Sequence, residues 1–164
     1  MSNRGFTIVE LLIVIVVIAI LASISVVAYN GIQQRARDAQ RVQAVTNYIK
    51  ANNLYIVQNG SDISTGGGVG DGTGWINVGS PPLTTTIQNS GVIANASGLR
   101  DPVCTSNETA GCLGFAKMRC GTRYAVIAKL ETGGPTPSLP SELSGCTNSG
   151  WWNSYGFNYY KMGN

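Results

Sequence analysis

Between Leu11 and Ala22 the chain reads Leu-Leu-Ile-Val-Ile-Val-Val-Ile-Ala-Ile-Leu-Ala, with no polar residue. Ser23 and Ser25 interrupt it only mildly, and the apolar stretch reaches Ala28. As a helix, residues 6–28 would be ~35 Å long, enough to cross a ~30 Å hydrocarbon layer. No proline or glycine lies within it. Such a segment cannot remain in water. It is too long and apolar for a buried core helix, and reads as a cleaved secretory signal with Arg4 as its charged region and a cleavage site near Ser23-Ile24-Ser25, a plain signal anchor, or the core helix of an assembly.

Glu10 separates these readings. A carboxylate at mid-membrane costs about 2.5–3.5 kcal/mol on insertion scales, less near the interface. A plain signal or anchor gains nothing from it. It makes sense where a positive partner waits at the same depth. The segment Gly5-Phe6-Thr7-Ile8-Val9-Glu10-Leu11-Leu12-Ile13-Val14 resembles the processing motif of type IV pilins and pseudopilins. That motif is a short polar leader ending in glycine, an aromatic residue, a glutamate four residues on, and a long aliphatic run.

The resemblance covers the N-terminal helix, about a third of the chain. It implies a leader at residues 1–5, cleavage between Gly5 and Phe6 by a membrane-embedded prepilin peptidase, and N-methylation of the Phe6 amine. It also implies that Glu10 faces the Phe6 amine of a neighbouring subunit. A methylated amine keeps its charge near neutral pH, opposite charges attract more strongly in an apolar bundle, and an unpaired buried charge is strongly penalised. Glu10 would thus reward correct register.

Beyond Ala28 the pattern becomes amphipathic. Tyr29, Ile32, Ala36, Ala39, Val42, Val45 and Ile49 recur every three or four residues among Gln and Arg. The spacing predicts one helix from about Phe6 to about Val57. Its membrane and filament-core half spans 6–28 and its amphipathic half 29–57. Asn30-Gly31 is a turn-like dipeptide that could split the helix. Many pilins carry a breaker in the membrane half, and this sequence has none there, so any flexible point falls on Asn30 and Gly31. The basic cluster Arg35, Arg37 and Arg41 reads as a solvated face, or as packing against acidic groups of neighbouring subunits. DNA contact has no other support.

Residues 58–164 read as a globular antiparallel β head with long loops. The Gly/Ser/Thr-rich stretch 59–81 is a connector, since it lacks the lysine and the leading strand of a phosphate loop. Leu83–Ile87 and Val92-Ile93 are short strand or turn candidates. Leu113–Arg119 and Tyr124–Leu130 are strands, the second alternating Tyr124, Val126, Ala128 and Leu130 against Ala125, Ile127 and Lys129. Gly133-Gly134-Pro135 marks a turn. Trp151–Tyr160 is expected to be extended, with Tyr155, Phe157 and Tyr159 on one side, packing into the core or forming an adhesive patch. The fold class is α+β: a long helix on a small antiparallel sheet with disulfides, as the resemblance also implies.

Four cysteines in an exported domain suggest two disulfides, which would reinforce a thin core. Spacing leaves three connectivities open. Our choice is Cys104–Cys112 and Cys120–Cys146, the latter similar to the closing disulfide of many pilins. The chain has no histidine, and its cysteine gaps are too wide for a C-x-x-C pair. We therefore expect no metal, no cofactor and no enzyme activity. The triplets at Asn59, Asn95 and Asn107 are formal glycosylation sites of little weight in a bacterial chain.

The expected function is a major structural subunit of a type IV pilus-like surface filament, serving adhesion, twitching motility or DNA uptake. One alternative is a pseudopilin of a type II secretion or competence machine. Another is a membrane-anchored binding module that does not polymerise. The expected partners are copies of itself, prepilin peptidase, an assembly platform with its ATPase, minor pilins, and membrane lipid before assembly. The expected location is the bacterial inner membrane, then the cell surface.

Overall fold

The computed structural model describes residues 5, 7–63, 74–76, 83–99, 101–103 and 114–163. The chain divides into two compact units, residues 1–36 and 37–164. One helix, α1 (Ile8–Asn59), contributes to both. Asn30 and Gly31 are helical, so the dipeptide does not split it.

In the second unit, a four-stranded antiparallel sheet has the order β1 (Gly74–Trp75), β2 (Phe115–Cys120), β3 (Arg123–Ala128), β4 (Tyr159–Gly163). The β2–β3 hairpin turns through Gly121-Thr122, and Cys120 pairs with Arg123. Gly121 has φ +67°, a conformation that glycine adopts without steric penalty at the first central position of a two-residue hairpin turn.

Both faces of the sheet are covered. Alternate residues of β2 and β3 therefore enter two different cores, and all of 124–128 is buried. On one face Phe115, Tyr124, Val126 and Ala128 meet Ala44, Val45, Tyr48, Ile49 and Ala51 of α1. On the other, Ala116, Met118, Ala125 and Ile127 meet Leu143, Cys146, Trp152 and Phe157. The Trp152 indole is buried with its Nε1–H donating to the Pro137 carbonyl at 2.9 Å.

Two segments differ from the sequence expectation. Residues 83–89 form a helix, α2 (Leu83–Asn89), not the short strand or turn expected for 83–87. Its Leu83, Thr84 and Ile87 are buried, and positions i, i+1 and i+4 share one face in a helix but not in a strand, where neighbours alternate. Residues 151–160 are not extended throughout. Trp151–Ser154 form a helical turn, α3, and β4 begins at Tyr159. Phe157 is buried and Tyr155 is exposed, so these aromatics do not share one face. Trp152 and Phe157 serve the core.

The Cys120–Cys146 disulfide is present, tying the end of β2 to the segment before α3. Cys104 and Cys112 lie outside the described residues.

Candidate functional site

The N-terminal segment is built from a local hydrogen-bond cycle. Glu10 Oε2 accepts from the Thr7 backbone N–H and from Thr7 Oγ1, both at 2.8 Å. The Glu10 backbone N–H in turn donates to Thr7 Oγ1 at 3.3 Å. This is a capping box, in which a threonine and a glutamate three residues on satisfy each other's free backbone donors at a helix start. Sequence reasoning missed it, although Thr7-Ile8-Val9-Glu10 carries the spacing openly. Gly5 is exposed, and a Cβ built on it meets no neighbour within 4 Å. Phe6 lies outside the described residues.

Beyond the cap, α1 is apolar on all sides in the first unit. Every large aliphatic side chain from Ile8 to Ile32 is between 46% and 85% exposed. A surface helix of a soluble protein is apolar along one stripe only. A helix apolar all round needs a surrounding of hydrocarbon or of other apolar helices. The two serines in this stretch are satisfied internally. Ser23 Oγ donates to the Ile20 carbonyl at 2.7 Å and Ser25 Oγ to the Leu21 carbonyl at 2.8 Å. The helix is long and apolar enough to cross a membrane. Between Thr7 and Gln34 its only charged residue is Glu10.

The charged residues from Arg37 onwards belong to the second unit and behave differently. Arg41 is buried, and its guanidinium donates to Asp38 Oδ1 at 2.8 Å, Asp101 Oδ2 at 2.8 Å and Glu131 Oε1 at 2.7 Å. Arg37 makes a two-pronged contact with Glu131, at 2.8 and 2.6 Å. Asp38 also accepts the backbone N–H groups of Glu131 and Thr132 and the Thr132 hydroxyl. The basic cluster is therefore not a solvated face. Two of its three arginines pair with acids of their own chain.

These contacts set the charge states. The Arg37 guanidinium, supported by Arg41, pulls the Glu131 carboxyl down to about 2. Burial alone would raise Asp38, but donors from Thr132, Glu131 and Arg41 outweigh it and leave the group below its ordinary value. Burial opposes charge on Arg41 as well, and its carboxylate partners prevail.

Residues 1–26 match the family model described as the prokaryotic N-terminal methylation motif. Comparison of the whole chain with curated proteins and with solved structures finds no match. The matched span holds Gly5, the Thr7–Glu10 cap and most of the apolar run. The N-terminal segment of this chain carries the type IV prepilin signature.

Proposed function

We propose that the protein is the major subunit of a type IV pilus-like surface filament. The observation that carries this reading is the helix surface from Ile8 to Ile32, apolar all round with Glu10 as its single charge. In the membrane, lipid covers that surface. In a filament, the same surfaces of neighbouring subunits cover one another. Prepilin peptidase would cut after Gly5, and the new Phe6 amine would be methylated. An assembly platform driven by an ATPase would then draw subunits from the inner membrane into a polymer of this chain, with minor pilins as accessory parts.

Glu10 would have two partners in sequence. In the single subunit its carboxylate is satisfied by Thr7, which lowers the penalty of holding a charge near the hydrocarbon boundary. During assembly the amine of a neighbouring Phe6 offers a stronger, charge-assisted bond. The exchange favours the one register in which the two meet.

The test is electron microscopy of sheared surface material, with N-terminal sequencing of its main subunit. Methylated Phe6 at the start of an abundant filament protein is the expected result. Glu10→Ala should still insert into the membrane but give no filaments. An N-terminus at Met1 or Val26, or normal filaments from the variant, would overturn the reading. A correctly processed subunit that is scarce in sheared material would instead mark a pseudopilin.

A further inference from the structure

Lys117 sits in the middle of β2 with its side chain fully buried. Alternation along the strand turns it toward α1, on the same face as Phe115. There its Nζ lies 2.5 Å from Asp62 Oδ1 and 5.0 Å from the centre of the Tyr124 ring. The same Asp62 oxygen accepts from Asn52 Nδ2 at 3.1 Å. Asn52 is also fully buried, and its Oδ1 has no hydrogen-bond partner among the described residues. One carboxylate oxygen thus bridges the amine of a buried lysine and the amide of a buried asparagine.

We propose that Lys117 and Asn52 are joined by an intramolecular amide bond, formed by the folded chain itself with Asp62 as the proton relay. Asp62 takes one proton from the Lys117 ammonium, which leaves a lone pair on Nζ. That pair attacks Asn52 Cγ. Asp62 returns the proton to Nδ2, the Cγ–Nδ2 bond breaks, and ammonia departs carrying the second proton that Nζ loses. The net change is one ammonium ion released for one Nζ–Cγ bond formed, and Asp62 ends as a carboxylate. No outside reagent is required.

The surroundings suit each step. Holding the three groups together replaces a collision with an internal reaction. The apolar walls from Tyr48, Tyr124 and Phe115 disfavour a buried ammonium and favour its conversion to a neutral amide. Lys117 and Asn52 are closed to water, which protects the product from hydrolysis, while the Asp62 side chain is 31% exposed and gives ammonia an exit. The bond would tie α1 directly to the central hairpin, on the sheet face opposite the Cys120–Cys146 disulfide. This inference stands independently of filament formation.

The test is peptide mapping by mass spectrometry on the full chain, extracted in detergent, reduced and denatured. The expected result is a branched peptide joining the segments around Asn52 and Lys117, lighter than their sum by one ammonia, with trypsin no longer cutting after Lys117. Lys117→Arg, Asn52→Ala and Asp62→Ala should each yield only linear peptides. Linear peptides bearing unmodified Asn52 and Lys117 in the wild-type chain would overturn the proposal, whether or not the variants fold. So would a branch at Asp62 lighter by one water. A cross-link that survives in Asp62→Ala would overturn the relay assignment.

Discussion

Arg41 Nε lies 2.8 Å from Asp101 Oδ2, and both side chains are closed to water. Asp38 and Glu131 converge on the same guanidinium. Removing one member of a buried pair leaves uncompensated charge, at a typical cost of about 3–5 kcal/mol. Arg41→Ala would take the shared guanidinium away from all three carboxylates. We expect a loss of that order in denaturant unfolding of the full chain in detergent, with Arg35→Ala close to neutral by comparison.

The same network makes stability depend on acid. Glu131 and Asp38 both have folded-state values below their ordinary ones, with Glu131 at about 2. A depressed carboxylate contributes its full stabilisation above its unfolded value and loses it as pH falls through the folded one. The melting temperature should therefore hold at neutral pH and fall from about pH 4.5 towards pH 2. Glu131→Gln should lower it at pH 7 and flatten its acid dependence.

Cys120 and Cys146 close a loop with a sequence separation of 26. Loops of that size commonly stabilise by about 3 kcal/mol. Cys146→Ser should lower stability by that order and make the melting temperature less sensitive to reductant. Comparison of both proteins with and without dithiothreitol checks this.

Gly163 ends β4 opposite Tyr124. A Cβ there would fall on the Tyr124 phenol ring. That ring is buried, and its hydroxyl donates to the Ile49 carbonyl and to Asn53 Oδ1. Gly163→Ala should destabilise by about 1–3 kcal/mol through overpacking. The near-ultraviolet circular dichroism of the tyrosines should change with it.

The Thr7–Glu10 cap should be visible in exchange. Thr7→Ala should cost about 1 kcal/mol at the helix start. Amide hydrogen exchange in micelles should show faster exchange over residues 7–10, with residues from Leu12 onwards unchanged.

The long helix was legible because its signal is redundant. The apolar run from Leu11 and the three- and four-residue spacing from Tyr29 to Ile49 agree over many turns. The β2–β3 hairpin was legible too, since two alternating runs flank a glycine turn. The threonines of Leu-Thr-Thr-Thr-Ile suggest a strand by propensity, yet Leu83 and Ile87 are four apart and follow Pro81-Pro82, a pattern that favours a helix start. In the candidate site, Glu10 was found as an isolated charge in a greasy run, whereas its bond to Thr7 went unread. Apart from Asp38, three residues before Arg41 on the same helix, the partners of Arg37 and Arg41 had no local signal, because Asp101 and Glu131 are distant in sequence and brought near only by the fold.

In the filament assembly proposed above, the internally bonded serines at positions 23 and 25 bear on the work asked of its motor. A hydroxyl already bonded within its own helix asks nothing of the medium around it. Apolar side chains likewise find lipid tails and neighbouring helices almost equivalent. Moving this segment sideways from bilayer to filament would then be nearly level in free energy along most of its length. The motor's load would fall at the ends: on the Glu10 carboxylate as it trades partners, and on the groups beyond Ala28 as they leave the headgroup layer.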